Sequence, residues 1–238
     1  MVLKGVFMNK IGNSKPAGLG ADGFYLERSS LMYDAISNLA VSIHTLNKKY
    51  GKKAVLFSSC GATTGATMIA VNTAIVMSQS GQKTVLIDAD LRKGSILDGG
   101  LCDYFRGATA MDKIIRPSDI PGLDFAPSGT RIDSPAMFLC SGKMAEFIEM
   151  AKSKYDSVII NSPPVTSSQD AAAMFMNTDG IVLVCSLNET TKKQIERARN
   201  AVDPYAEKYY GMVVNSMMEK QYRKLFIRRS YYRRRGKK

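Results

Sequence analysis

The chain has 238 residues, 45% hydrophobic and 23% charged, with a formal net charge of +12 at pH 7. That length suits one globular domain with a buried core, and no apolar run approaches the roughly 18 residues that cross a bilayer. The first fifteen residues hold no apolar stretch of signal-peptide length, so a cytoplasmic protein is expected. Four scattered cysteines (Cys60, Cys102, Cys140, Cys185) form no CxxC pair, and His44 is the sole histidine. Little material remains for a metal cluster or a histidine-based triad.

Residues 1–28 show no sustained period and read as a loose N-terminal arm ahead of a domain spanning 29–218. From Ser29 to about Lys49, Leu31, Ala35, Leu39, Ile43 and Leu46 recur at helical spacing, with Ser29 or Ser30 as the N-cap. The run Ala54–Phe57 has strand length. A small-residue loop, Ser58–Gly65, leads into a helix over Ala66–Ser80 that Gly81 closes. Further strands are expected at Thr84–Asp88, Leu123–Ala126, Ser157–Ile160, Gly180–Cys185 and Met212–Val214, and helices at Pro135–Lys154 and Thr190–Ala201. Continuous rather than alternating apolar strands, separated by helices, predict an α/β fold with a mostly parallel, doubly wound sheet. Such sheets bind ligands at the carboxyl ends of their strands.

A strand, a Gly-rich turn and a helix make a phosphate-binding geometry, because backbone N–H groups and the helix N-terminus face the anion. The pattern GxxxxGK[ST] is approached by Ser59-Cys60-Gly61-Ala62-Thr63-Thr64-Gly65-Ala66-Thr67. Gly65 and Thr67 are in place; Cys60 stands at the first glycine and Ala66 at the lysine. By itself the turn reads more readily as an ordinary small-residue connection. The next strand ends in Asp88-Ala89-Asp90-Leu91-Arg92. Two carboxylates there can hold Mg²⁺ and polarise an attacking hydroxyl; a solvated loop is the plain alternative.

Several segments, in order, carry a resemblance. Gly81–Arg92 is similar to a second Walker motif, and Tyr155-Asp156-Ser157-Val158-Ile159-Ile160-Asn161-Ser162-Pro163-Pro164-Val165 to a third written YDxVIIDTPPV. Asp119–Asp124, Pro127-Ser128-Gly129, Ser134-Pro135, Thr178–Val184 and Gly211–Asn215 continue the match. From about Leu31 to Asn215 the chain resembles the bacterial tyrosine autokinases of capsule and exopolysaccharide operons, relatives of the MinD/ParA ATPases. The resemblance implies a three-layer P-loop NTPase domain that takes ATP or ADP with Mg²⁺. Carried over by position, cofactor contacts fall on Gly61, Ala62, Thr63, Thr64, Gly65, Ala66, Thr67, Met68, Arg92 and Asn161, with Asn215 at the adenine. Thr67 and Asp88 would serve the metal, Asp88 and Asp90 catalysis. A membrane-embedded polysaccharide chain-length regulator is the implied partner, and the inner face of the cell membrane the implied location. A homo-oligomer is a further possibility of the family.

Three departures bear on activity. Ala66 replaces the loop lysine, Asn161 replaces the Walker B aspartate, and the oligomer motif EAYRxLR aligns with Leu31-Met32-Tyr33-Asp34-Ala35-Ile36-Ser37, which lacks its glutamate and arginines. A hydrogen bond to a charged group is worth about 1.5–3 kcal/mol, so losing the lysine weakens nucleotide binding roughly 10- to 100-fold. Turnover suffers more, since the lysine and metal stabilise charge on the transferring phosphoryl group.

Residues 219–238 hold ten Lys or Arg against a single acid, nine of the twelve net positive charges. This basic tail also carries Tyr222, Tyr231 and Tyr232, phosphoacceptor candidates by their position in the family. Its composition suits an anionic membrane surface or an acidic partner, a nucleic-acid backbone, or a solubilising tail. Three functional readings follow: a degenerate kinase-like regulator, with ATP/ADP and Mg²⁺ binding weak or lost; a working ATP-dependent autokinase; and a MinD/ParA-like positioning ATPase.

Overall fold

A computed structural model describes residues 31–95, 99–187 and 189–216. The expected arm at 1–28, the N-cap at Ser29 or Ser30 and the basic tail with Tyr222, Tyr231 and Tyr232 lie outside the described residues. Seven strands are laid down in chain order: β1 (Ala54–Ser59), β2 (Thr84–Asp88), β3 (Arg116–Pro117), β4 (Leu123–Ala126), β5 (Ser157–Asn161), β6 (Gly180–Ser186) and β7 (Tyr209–Asn215). They form one sheet in the order β3-β4-β2-β5-β1-β6-β7. All pairs are parallel except β3 on β4.

The four central strands are buried residue after residue, which is why they read as unbroken apolar runs. Alternate side chains serve opposite layers. Val55, Phe57, Leu86, Ile159, Val182 and Val184 meet α1 (Leu31–Tyr50) and α2 (Ala66–Gln79). Leu56, Val85, Ile87, Val158, Ile160, Ile181 and Leu183 face the other way. There they join Phe147 and Ile148 of α5 (Gly142–Lys154), Phe175 of α6 (Asp170–Phe175) and Ala198 of α7 (Lys192–Val202). The result is the three-layer, doubly wound architecture expected from the strand pattern.

Helix α2 is apolar nearly all round and buried between the sheet and α1. Its end is a Schellman motif: Gly81, at φ 89°, sends its N–H to Ser78 O, and Gln82 N–H reaches Met77 O at 3.2 Å.

The structure differs from the sequence pattern in particular places. The buried stripe of α1 runs through Ile36, Ala40, Ile43 and Asn47, and Ala35 is exposed. Both stripes have helical spacing, and the docking partner decides between them: Asn47 Oδ1 accepts from the Tyr210 hydroxyl on β7 at 2.9 Å. The single helix expected over Pro135–Lys154 is two, α4 (Ala136–Leu139) and α5. Ser141 breaks it by capping α5, its Oγ accepting from Met144 N–H. Helix α3 (Leu101–Phe105), α6 and the short edge strand β3 were not anticipated.

Candidate functional site

The carboxyl ends of β1, β2, β5 and β6 bring the singled-out residues together. Beyond β1, Cys60 N–H continues the ladder to Val184 O at 2.8 Å, and Cys60 O accepts from the Thr166 hydroxyl at 3.1 Å. The loop is thus fixed at its root by strand β6 and by the segment after β5. Burial pushes the Cys60 thiol up to about 12, with Cys185 adding to the effect, so neither the residue nor its place suits a thiolate nucleophile. All four cysteines are free.

At its far end the loop turns on Gly65, in the left-handed region at φ 79°. A Cβ there would stand 2.6 Å from Asn215 Nδ2. Asn215 needs that space because its Nδ2 donates to Thr64 O at 2.8 Å. The loop and the end of β7 are therefore joined through a position only glycine serves. Beyond it, α2 opens on Ala66, 7% exposed, with no side chain capping its first turn. Met68 is buried, Thr67 is half-buried, and Ala62 and Thr63 are exposed. Backbone donors of the loop and the uncapped start of a 14-residue helix form an anion-facing end.

The acidic partner stands beside it. Asp88 ends β2 in register with Asn161 of β5, and Asn161 Nδ2 donates to Asp88 Oδ1 at 3.0 Å. Asp90 N–H reaches the same oxygen at 3.2 Å. Asp88 is 3% exposed. Burial lifts its carboxyl to about 6, the Asn161 hydrogen bond opposes, the Asp90 charge adds, and Lys93 opposes. Burial raises Asp90 as well, with Lys93 again the main opposing charge. Asn161 Oδ1 and Thr64 Oγ1 are buried without a partner, an arrangement that costs free energy in the protein alone.

Oxygen donors with one carboxylate and uncommitted neutral atoms suit a hard divalent cation, which favours oxygen ligands. Asp88 and Thr67 would hold it. Among the described residues no cluster of three or more His, Cys, Asp or Glu offers an alternative metal centre.

Arg92 is brought to the same end but is engaged elsewhere. Its Nε and one terminal nitrogen form a bidentate pair with Asp170, and the other terminal nitrogen donates to Asp133 O at 2.6 Å. Asp170 is buried at the start of α6, so this guanidinium neutralises an interior carboxylate and ties the loop after β2 to α6.

Two side chains at the loop were not singled out from sequence. Glu189 accepts from the Thr63 hydroxyl, and Gln194 of α7 lies over Gly61, its Nε2 3.1 Å from where a Cβ would be. The Thr191-x-x-Gln194 spacing of a capping box was the readable signal for α7's start. Nothing local in the sequence signals Glu189.

A left-handed glycine at a strand-to-helix turn, an uncapped helix start and a buried carboxylate at the end of β2, across β5 from the turn, define a P-loop-type nucleotide domain. Residues 53–210 match the family model described as an AAA domain. The chain belongs to that family, and the proteins it is similar to include ones named as tyrosine-protein kinases. A protein of Klebsiella pneumoniae named for a tyrosine-protein kinase in the cps region is 31% identical over 220 residues, covering 90% of this chain and 30% of that protein. Tyrosine-protein kinase YwqD of Bacillus subtilis is 28% identical over 214 residues, 87% of this chain and 85% of that protein. The kinase domain of Escherichia coli tyrosine kinase ETK superposes with a TM-score of 0.78 at 22% identity, over 92% of this chain and 88% of that one. The chain spans less than a third of the length of the first curated relatives it matches.

Proposed function

We propose that this protein is a degenerate, kinase-like regulator of capsular or exopolysaccharide biosynthesis and export. It works at the inner face of the cell membrane with a membrane-embedded chain-length regulator, and binds ATP or ADP with Mg²⁺ weakly. One observation carries the reading: the Asp88 carboxylate meets the Asn161 amide at 3.0 Å beside a loop whose helix opens on Ala66. The cradle for an anion is kept, while the ammonium expected at position 66 and the carboxylate expected at position 161, which serve phosphoryl transfer, are replaced by Ala66 and Asn161. Relatives named as tyrosine-protein kinases, one of them from a cps region, support the cellular setting.

Titration calorimetry with Mg-ADP and Mg-ATP, run beside an assay of ADP release, tests it. Binding in the micromolar to millimolar range without steady ADP production is the expected result. Robust ADP production by the unaltered protein overturns the reading. Ala66→Lys combined with Asn161→Asp should tighten ATP binding about 10-fold or more and introduce turnover.

A second reading, an active autokinase, has one observation in its favour. Lys93 is exposed on the turn after β2, and its charge acts on both Asp88 and Asp90. Lys93 would then supply the cation missing at position 66. Phosphotyrosine appearing at Tyr222, Tyr231 or Tyr232 on incubation with Mg-ATP, and disappearing in Lys93→Ala, is the signature of this alternative.

A further inference from the structure

The loop carries an anion of its own. The Thr63 hydroxyl donates to the Glu189 carboxylate at 2.5 Å, across 126 residues of sequence. Glu189 sits on the turn between β6 and α7, which is fixed from both sides. Ser186 N–H donates to Thr190 Oγ1 at 2.8 Å, and Thr190 N–H returns to Ser186 O at 3.1 Å. Thr191 then caps α7. The carboxylate is thus presented to the lip of the loop by a closed turn. Beside it the Gln194 side chain is locked by Thr191, whose N–H donates to Oε1 at 2.8 Å. That leaves Nε2 over Gly61.

In a phosphate loop the donors on the exposed lip meet the ligand's oxygens. Here a side-chain hydroxyl on that lip, that of Thr63, is already held by a carboxylate of the same chain. Ala66 adds no positive charge to compensate, Asp88 and Asp90 lie at the same carboxyl edge of the sheet, and the Arg92 fork is committed to Asp170. Like charges at such a site repel in proportion to the ligand's charge. We propose that Glu189 is a specificity-determining residue of this site. It competes with the terminal phosphate for the Thr63 hydroxyl, and so disfavours nucleoside triphosphates more than diphosphates. The inference rests on the weak-nucleotide-binding reading and adds which nucleotide the site prefers and which residue sets the preference.

The test is calorimetric titration of the full chain with Mg-ADP and with Mg-ATP, for the unaltered protein, Glu189→Gln and Glu189→Lys. Glu189 is exposed, so neither substitution disturbs the core. Glu189→Gln should tighten ATP about 3- to 10-fold and ADP by less, and Glu189→Lys should widen the gap further. Repeating the titrations near 0.5 M salt should shrink the gain, since screening acts within a few ångströms there. Binding by a variant where the unaltered protein shows none also supports the proposal. Equal affinities in all three proteins, or equal gains for both nucleotides with no salt dependence, overturn it and leave the weak-binding reading standing. Binding by none of the three overturns both.

Discussion

Gly65 and Asp88 set the two sides of the site, and each has a measurable consequence. Gly65 holds a left-handed conformation, and a methyl there would press on Asn215 Nδ2 at 2.6 Å. Gly65→Ala should therefore cost about 1–3 kcal/mol of stability, read as a lower urea midpoint, and should release Asn215 from Thr64 O. Asp88 is a proton-linkage case. Its carboxyl titrates near 6 in the folded chain against an ordinary 3.8, so the folded state binds the proton more tightly than the unfolded one. Stability is then greatest when both states are protonated, falls as pH rises from about 4 to 6, and stays low above that. Asp88→Asn removes this slope while keeping an oxygen for the Asn161 amide. In metal-free buffer the variant should gain on the order of 2 kcal/mol at pH 7.5 and little at pH 4. A pH dependence of urea unfolding identical to that of the unaltered protein would refute the assignment. The sequence showed both residues plainly, because the loop and the strand-end acids keep fixed local spacings. Glu189 and Asp170 stayed hidden, since topology alone brings them to Thr63 and Arg92 across 126 and 78 residues.

Among the elements, legibility followed burial. Strands β1, β2, β5 and β6 lie under cover on both faces and so announced themselves as apolar runs. Helices α3 and α6, at five and six residues, are too short to establish a period, and the two-residue β3 exists only because β4 offers it an edge. The one-residue rotation of α1's buried stripe has the same origin, for the choice is made by α2 and Tyr210 rather than by α1. This gives two predictions. Ile36, which belongs only to the observed stripe, is buried in the α1–α2 layer, so Ile36→Ala should cost about 2–4 kcal/mol, whereas Ala35→Ser, on the exposed side, should stay within about 0.5 kcal/mol. Thermal or urea unfolding of the two variants decides the register of the helix. A larger loss at Ala35 than at Ile36 would mean the stripe lies where sequence spacing alone would put it.

The molecule as a whole has two unlike ends. At the amino ends of the strands, Asp179 closes the sheet by accepting from Lys53 N–H and Ala54 N–H at 2.9 Å and from the Lys152 ammonium at 3.1 Å. At the carboxyl ends lie the loop and its acids, and β7 leads from that same end, through Asn215, towards the basic residues 219–238. The part of the chain before Glu219 carries a net charge of only +3 against +9 for the last twenty residues, so the tail is expected to supply most of any attraction to an anionic surface. Each basic residue near an anionic lipid surface contributes about 1 kcal/mol, and ten of them against one acid give a tail whose affinity for such a surface depends steeply on salt. The full chain should co-sediment with phosphatidylserine-containing vesicles at 0.1 M salt and dissociate by 0.5 M. Removing residues 219–238 should abolish sedimentation without altering nucleotide titrations, because Asn215 and the loop remain. A truncated chain that still binds vesicles would move the membrane contact onto the folded domain. Binding by neither chain would refute a direct contact between this tail and an anionic membrane surface.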